Sequence, residues 1–342
     1  MTPSGTPKLA LSTHGQCRLH NPGTFHPERP DRLTAVRDGI IASGLSEGVS
    51  WHEAPMADRL ALTNVHPESL LDGLSDLCAA GGGPIDADTV VSSDSNEAAL
   101  RAAGAGLDLI KRLKRGEAET GWSIVRPPGH HATPSKQMGF CLLNNIAVAA
   151  EVLAVDGERV AIVDIDAHHG NGTQEAFYDR SDVLFVSFHE YPAYPGTGRP
   201  TETGSGDGVG TTVNIALPSG ATGDVYRGAL DSLVGPIIEQ FGPTWLLISA
   251  GFDAHRADPL TNMGLTAADY ADITAELVGM ADPGRRLLFL EGGYDLDALA
   301  NTAGAVASAL VGHDYRPESS TSGGPGFDHV EAAKSVHHRW FK

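Results

Sequence analysis

Short apolar runs alternate with stretches of helical periodicity through the second half of the chain. Apolar runs of about four to eight residues are typical of buried strands, and apolar positions three and four apart are typical of amphipathic helices. The alternation favours one α/β domain with a parallel sheet. We predict strands at 122–125, 160–165, 183–188, 245–249 and 287–290. We predict helices at 33–43, 67–80, 96–113, 144–155, 225–240 and 266–280.

The remaining segments lack this alternation. Residues 19–33 form a polar, proline-broken loop, and 196–210 form a glycine-rich loop. Residues 318–326, rich in serine and glycine, are typical of a linker, and 330–342 are predicted to form a last helix. We expect the 342 residues to make a single domain, 1–342.

The strand predicted at 160–165 ends in Asp164-Ile-Asp-Ala-His-His-Gly-Asn-Gly172. If the extended backbone continues through His168, its period of two points Asp164, Asp166 and His168 to one side. Two carboxylates and one imidazole are typical metal ligands. The motif therefore predicts part of a metal site.

Other unusual polar residues follow other predicted strands. His130 and His131 come after one strand, Asp253 after another and Tyr294 after a third. Taken singly, each has an ordinary structural interpretation: loop histidines, a helix N-cap and a tyrosine packed in a turn. Because the carboxyl ends of parallel strands share one sheet edge, where ligand crevices form, their coincidence favours one composite site.

Asp166, His168 and Asp253 would supply two oxygen ligands and one nitrogen, which leaves coordination positions open for water and substrate. Zn²⁺ is favoured by its Lewis acidity and tetrahedral geometry, although Fe²⁺ or Mn²⁺ would accept the same ligands.

Amide hydrolysis uses the remaining groups. His131 or His130 can take a proton from a metal-activated water and return it to the leaving amine, and the Tyr294 hydroxyl can donate to the oxyanion. Asp164 and Asn171 are candidates to fix the histidine tautomers.

The charge and cysteine content narrow the choice of partners. Lys plus Arg number 24 against 43 Asp plus Glu, a net charge of −19. Such a surface argues against nucleic acid and anionic membranes and suits a cationic substrate, although it would also serve solubility alone. The cysteines Cys17, Cys78 and Cys141 are too few and too scattered for a disulfide framework. Together with an N-terminus unlike a signal peptide and the absence of a long apolar run, they predict a cytoplasmic protein.

Six ordered motifs resemble the zinc-dependent histone deacetylase family, most closely its class II and bacterial amidohydrolase branch. The similarity extends from about residue 26 to 311, and 312–342 would be a linker-like stretch plus a helix. The motifs are Arg126-Pro-Pro-Gly-His-His-Ala132, Gly139-Phe-Cys-Leu-Leu-Asn-Asn145, Asp164-Ile-Asp-Ala-His-His-Gly-Asn-Gly-Thr-Gln174, Tyr194-Pro-Gly-Thr-Gly198, Ser249-Ala-Gly-Phe-Asp-Ala-His-Arg-Ala-Asp-Pro259 and Leu290-Glu-Gly-Gly-Tyr294.

The resemblance implies an arginase-like, three-layer α/β/α fold with a central, mainly parallel eight-stranded sheet. It implies zinc on Asp166, His168 and Asp253. It makes His131 the general base and acid, His130 its electrostatic partner paired with Asp164, and Tyr294 the group that polarises the carbonyl. It also implies a K⁺ site formed by Asp164, Asp166, His168, Ser187 and Phe188.

An acyl-lysine tunnel is a further implication of the resemblance, and Gly139, Phe140, Tyr194 and Leu260 match its lining. Ordinary core packing is the alternative for these residues. Asn171 stands where class I members carry an aspartate, so His131 should be less basic. Leu260 stands where polyamine deacetylases carry an acidic residue, which argues against a polyamine substrate.

The sequence thus predicts an enzyme that removes an acyl group from a cationic amine, with N-ε-acetyl-lysine in a protein or peptide as the leading substrate. An acetylpolyamine or small-metabolite amidohydrolase is the alternative within the same chemistry. A ureohydrolase would need more bridging carboxylates for two manganese ions. A non-catalytic acyl-lysine-binding module would be expected to lack a metal ligand or the tyrosine. The sequence has all three proposed ligands and Tyr294.

Overall fold

A parallel eight-stranded sheet forms the centre of the computed structural model, which describes residues 8–45 and 48–340. The strands are β1 Leu9–Thr13, β2 Val49–Glu53, β3 Gly82–Pro84, β4 Val90–Ser92, β5 Thr120–Ser123, β6 Val160–Asp164, β7 Val183–Glu190, β8 Thr212–Leu217, β9 Trp245–Ala250 and β10 Arg286–Leu290. The order in the large sheet is β2-β1-β5-β10-β9-β6-β7-β8, and every pairing in it is parallel. β3 and β4 pair separately as an antiparallel hairpin.

Helices cover both faces of this sheet. They are α1 Asp31–Ala42, α2 Arg59–Thr63, α3 Glu68–Ala79, α4 Ser95–Lys114, α5 Asn145–Val155, α6 Asn171–Phe177, α7 Gly223–Ala229, α8 Gly235–Phe241, α9 Ala267–Gly279, α10 Leu296–Val311 and α11 Phe327–His337. A π-helical turn, Leu230–Val234, joins α7 to α8. Short 3₁₀ helices lie at Gly15–Arg18 and Gly206–Gly208.

Alternate residues of β1, β6, β7, β9 and β10 enter two different cores, which shows that the middle of the sheet is buried on both sides. In β6, Ala161 and Val163 join the core under α1 and α7 to α10, whereas Val160 and Ile162 join the core under α4 and α5. A parallel sheet needs such double cover because its crossover helices lie on its faces. The predicted three-layer α/β/α fold with eight strands is confirmed.

The predicted strands and helices are present, with shifted ends, and several elements were not predicted. β2 is a half-exposed edge strand without a continuous apolar run. β8 is buried throughout, but Asn214 interrupts its apolar sequence. The predicted helix 225–240 is divided into α7, the π turn and α8.

The assumption that β6 continues through His168 is wrong. The strand ends at Asp164, and the chain bends because side-chain carboxylates capture nearby backbone donors. Asp164 accepts the N–H of Asp166 at 3.1 Å, and Asp166 accepts that of His168 at 2.8 Å. These successive turns place the polar residues beyond the strand.

The C-terminal segment packs on the rest of the molecule. In the stretch predicted to be linker-like, Glu318 contacts His255 at 2.7 Å, and the Thr321 N–H donates to Asp269 at 3.0 Å. α11 begins at Phe327, three residues before the predicted start. Residues 341–342 of that prediction and the N-terminal residues 1–7 lie outside the described residues.

Two further observations concern membrane-spanning helices and cysteines. Across residues 8–45 and 48–340, no helix has both the length and the apolar character needed to cross a membrane. Cys17, Cys78 and Cys141 are all buried free thiols.

Candidate active site

The strand order brings the four motif-bearing strands together at the centre of the sheet. β5, β10, β9 and β6 are consecutive neighbours. Their carboxyl ends lead to the segments that carry His130 and His131, Tyr294, Asp253, and Asp166 with His168. Residues from four distant parts of the chain therefore meet at one edge, as expected for ligand sites in parallel sheets.

Asp166, His168 and Asp253 converge on one point. Their ligand atoms all lie within 4.8 Å of one another. The His168 Nδ1 is 3.2 Å from Asp166 Oδ1 and 2.9 Å from Asp253 Oδ2. The other oxygen of each carboxylate is fixed by the backbone: Asp166 Oδ2 accepts the Gly292 N–H at 2.8 Å and Asp253 Oδ1 accepts the Ala167 N–H at 2.7 Å. Each side chain thus turns one restrained donor atom inward.

The electrostatics of this group favour a bound cation. Burial lowers the pKa of His168, but Asp253 and Asp166 outweigh it and raise the pKa well above the ordinary value. A proton on His168 therefore supplies positive charge between the carboxylates. Ligands of tetrahedral zinc lie about 3.3–3.6 Å apart when each bond is about 2.0–2.2 Å. The observed separations are slightly shorter, so this oxygen, oxygen and nitrogen set fits such an ion after a small expansion.

A second group, His130, Cys141 and Glu291, also has ligand atoms within 4.8 Å of one another. Burial raises the pKa of the Cys141 thiol well above its ordinary value, and a neutral thiol is a poor metal ligand. Glu291 already uses one oxygen to accept the N–H groups of Gly129 at 2.7 Å and His130 at 3.1 Å. We therefore favour Asp166, His168 and Asp253 as the metal group.

The adjacent histidines have different partners and opposite pKa shifts. His130 Nδ1 is 2.9 Å from Asp164 Oδ2, and His131 Nδ1 is 2.8 Å from Asn171 Oδ1. Burial lowers the pKa of His130, but Asp166 and Asp164 outweigh this and raise it to about 10. Burial lowers the pKa of His131 well below its ordinary value, and the neighbouring positive His130 adds to the effect. One ring is cationic while the other stays neutral.

Glu291 is a site residue that sequence reasoning did not identify. Its side chain is fully buried and fixes the backbone on which His130 sits. Burial raises the pKa of Glu291 to about 7. Within the described residues, its Oε1 atom has no hydrogen-bond partner. The signal was the acidic residue at the end of the apolar run 287–290.

Tyr294 follows Glu291 in the same loop and is held beside Arg32. The Arg32 guanidinium lies 5.0 Å from the centre of the Tyr294 ring, and its Nε donates to the Gly293 carbonyl at 2.7 Å. Burial raises the pKa of Tyr294 well above its ordinary value, although Arg32 opposes the shift. The phenol therefore remains protonated and can donate a hydrogen bond.

A buried carboxylate connects this arginine to the histidine loop. Glu28 contacts Arg32 at 3.0 Å and makes a bidentate pair with Arg126, and all three side chains are fully buried. Burial opposes ionisation of Glu28, but Arg126, His20 and Arg32 hold its pKa well below the ordinary value. Sequence reasoning gave these three residues no role. The signal that could have identified them was charged side chains in proline-rich segments, where the chain is otherwise polar and irregular.

Three of the predicted tunnel residues, Gly139, Phe140 and Tyr194, lie beside His131 or Tyr294. A Cβ on Gly139 would be 2.5 Å from the His131 ring, and the Phe140 ring packs edge-on to Tyr294 at 5.8 Å. Tyr194 is 39% exposed and packs edge-on to His131 at 5.1 Å. Leu260 is 43% exposed, on the loop after Asp253.

Phe140 has a φ of 67°, the only positive value for a non-glycine residue in the described chain. Such strain is concentrated at functional sites.

The residues predicted for K⁺ lie at the end of β6, on β7 and on the segment that follows β6. Asp164 is in register with Ser187 of the neighbouring β7. Ser187 Oγ lies 3.0 Å from His189 Nδ1, and the buried Phe188 ring stacks on Tyr226 at 5.0 Å. Asp166 and His168 follow on the bent segment. The potassium site remains a prediction.

Comparisons with known proteins identify a family and a fold that this chain resembles. A model of the histone deacetylase domain matches residues 26–310. A probable deacetylase of Archaeoglobus fulgidus is 40% identical over 308 residues, which cover 88% of this chain and 86% of the relative. Histone deacetylase 15 of Arabidopsis thaliana is 40% identical over 299 residues, 86% of this chain and 54% of that protein. The crystal structure of the HDA15 HD domain matches with a TM-score of 0.91 at 35% identity, covering 98% of this chain and 96% of that one.

Proposed function

The chain belongs to the histone deacetylase family, and we propose that it is a zinc-dependent deacylase acting on N-ε-acetyl-lysine in a protein or peptide. The observation that carries the proposal is the convergence of Asp166, His168 and Asp253, with the neutral His131 and the protonated Tyr294 close by. These groups supply a metal site, a base and a hydrogen-bond donor.

Asp166, His168 and Asp253 would hold the zinc ion. When bound, the ion supplies Lewis acidity, which makes water more nucleophilic and the amide carbonyl more electrophilic. Fe²⁺ fits the same ligands. We assign K⁺ to the end of β6, with Asp164, Asp166, His168, Ser187 and Phe188 as its ligands, and the register of Asp164 with Ser187 supports the assignment.

His131 acts as the base in the proposed reaction. Its neutral imidazole accepts a proton through Nε2, because Nδ1 faces Asn171 Oδ1 and therefore carries the hydrogen. The same ring then returns the proton to the leaving amine. His130 stays protonated beside Asp164, so it stabilises developing negative charge rather than removing protons.

Tyr294 stabilises the oxyanion. Its hydroxyl remains protonated and can donate to the carbonyl oxygen as negative charge develops there. Arg32 fixes the loop through the Gly293 carbonyl, which limits movement of the tyrosine. The donor is thus oriented before substrate binds.

The aromatic side chains beside the site would suit a long, thin substrate side chain. Phe140 and Tyr194 pack against Tyr294 and His131, respectively, so aromatic surfaces lie beside the reacting groups. We assign Gly139, Phe140, Tyr194 and Leu260 to the tunnel that receives the acyl-lysine chain. The net charge of −19 favours a cationic peptide or amine. The proposed domain spans 1–342, and the three buried free thiols suit the reducing cytoplasm.

A substrate panel tests the proposal. Steady-state rates on zinc-loaded protein would be compared for an acetyl-lysine peptide, acetylspermidine and acetylputrescine. We expect the highest kcat/KM for the peptide, because Leu260 gives the tunnel rim no acidic group at that position. A clear preference for an acetylpolyamine would instead identify the small-amine amidohydrolase, and peptide binding without turnover would identify a binding module.

A further inference from the structure

Asp258 is a buried carboxylate between two loops of the candidate site. Only 7% of its surface is exposed. Its Oδ2 atom accepts the backbone N–H of Tyr294 at 2.7 Å, and its Oδ1 atom accepts the N–H of Leu260 at 2.9 Å. Both oxygens therefore bond to backbone groups of residues with proposed roles in the reaction.

The two loops belong to different strands. Asp258 lies after β9, in the segment that begins with Asp253, and its own N–H donates to the His255 carbonyl at 2.8 Å. Tyr294 lies after β10. Since 36 residues separate Asp258 from Tyr294, one carboxylate cross-links the metal-ligand loop to the oxyanion-donor loop.

The loop before Tyr294 needs such a restraint. Two glycines, Gly292 and Gly293, precede the tyrosine, and Gly293 has a φ of 114° that other residues rarely adopt. Glycine gives the backbone additional freedom. Arg32 holds the carbonyl groups of Glu291 and Gly293, but it leaves the Tyr294 N–H to Asp258. The two side chains hold the segment through different backbone groups.

We propose that Asp258 is a positioning residue that sets the location of the Tyr294 hydroxyl through the Tyr294 backbone. This inference rests on the proposed function, because it concerns the donor in that reaction. A hydrogen-bond donor stabilises the transition state only if it is placed within a few tenths of an ångström, and a misplacement of about 1 Å can cost about 100-fold in rate. Loss of the Asp258 bond would allow such a movement.

Asp258→Asn tests the proposal with minimal change in size. The carboxamide keeps one acceptor oxygen and turns an NH₂ group toward the second backbone N–H, which breaks one of the two bonds. We expect kcat to fall about 10- to 100-fold, KM to change less than about threefold and the zinc content to persist. Asp258→Ser is the second variant if Asp258→Asn folds poorly. Its hydroxyl is one atom shorter than the carboxylate and cannot bridge both backbone N–H groups.

A double-mutant cycle separates positioning from general stability. If Asp258 acts through the Tyr294 hydroxyl, Asp258→Asn should cost less than about twofold further in a Tyr294→Phe background. Asp269→Asn is the matched control, since Asp269 is buried and also accepts two backbone N–H groups, from Thr266 and Thr321. That variant should lower the melting temperature while kcat stays within about threefold.

The outcomes distinguish the two levels of inference. Equal fold losses in the wild-type and Tyr294→Phe backgrounds would reject the positioning role of Asp258, and so would an unchanged kcat in both Asp258→Asn and Asp258→Ser. If the zinc-loaded wild-type protein does not hydrolyse the acetyl-lysine peptide, the proposed function itself fails.

Discussion

Replacing Asn171 by aspartate should raise the pKa of His131 and move the acid limb of the pH–rate profile to higher pH. Asn171 Oδ1 is 2.8 Å from His131 Nδ1, and both groups lie in a largely buried site. Asn171→Asp keeps the shape of the contact and adds a negative charge. The positive form of the imidazole gains an ion pair that the neutral form lacks.

The magnitude follows from the separation of the charges. Unit charges about 4 Å apart attract by about 4 kcal/mol at an effective dielectric constant of about 20. That energy corresponds to about 3 pKa units. Burial of the new carboxylate opposes part of the gain, so we expect the pKa of His131 to rise by about 1–3 units.

The profile of kcat/KM against pH measures this shift. A general base works only when it is neutral, so activity falls as pH drops through its pKa. In the wild-type protein the depressed pKa of His131 keeps the base neutral to low pH. In Asn171→Asp the raised pKa should move the loss of activity to higher pH. Asn21→Asp adds the same charge where Asn21 Oδ1 accepts the Gly23 N–H, and it should leave the limb unchanged. An unmoved acid limb in Asn171→Asp would refute His131 as the base.

Substitutions at three other residues examine the remaining parts of the site. Asp253→Ala removes a proposed ligand, so metal analysis should show loss of bound zinc together with loss of turnover; retention of stoichiometric zinc would contradict the ligand assignment. Tyr294→Phe should lower kcat about 100- to 1,000-fold with the zinc retained, as expected for loss of an oxyanion donor, and a wild-type kcat would exclude that role. Glu291→Ala leaves two buried N–H groups unpaired at about 1–3 kcal/mol each, so thermal or urea denaturation should show a large loss of stability. Glu291→Gln keeps an acceptor and should lose much less, whereas equal losses would contradict this explanation.

Local patterns predicted five strands of the sheet, and the eight-stranded sheet followed only from the family resemblance. Apolar runs such as 160–165 identify buried strands without reference to the rest of the chain, and polar residues after several strands indicate a common edge. The parallel topology then brings Asp253 and Tyr294 to the same place. β8 was not predicted because Asn214 interrupts its apolar run.

Interactions between distant residues could not be predicted from such patterns. Glu28 and Arg126 are 98 residues apart, and only the folded chain shows that they pair. The sequence around Glu28, Arg126 or Glu291 does not indicate which residue each one contacts. The course of the chain from Asp164 to His168 depends on side-chain hydrogen bonds to the backbone, which periodicity cannot represent.

Asp164 illustrates how the structure refines a motif. By position alone, it was as good a ligand as Asp166. In the structure its Oδ2 atom faces His130 and its Oδ1 atom accepts the Asp166 N–H. The ligand atoms of Asp166, His168 and Asp253 instead lie within 4.8 Å of one another, and we propose these three residues as the zinc ligands. The geometry therefore favours Asp164 as the hydrogen-bond partner of His130 rather than as a zinc ligand.

Metal-dependent release of acetate from an acetyl-lysine peptide is the most direct measurement of the proposed function. Protein stripped of metal by a chelator, the same protein reloaded with one equivalent of zinc, and a chelator-treated Asp253→Ala control would be compared. The proposal predicts turnover only in the reloaded wild-type protein. Full activity in metal-free protein would contradict it.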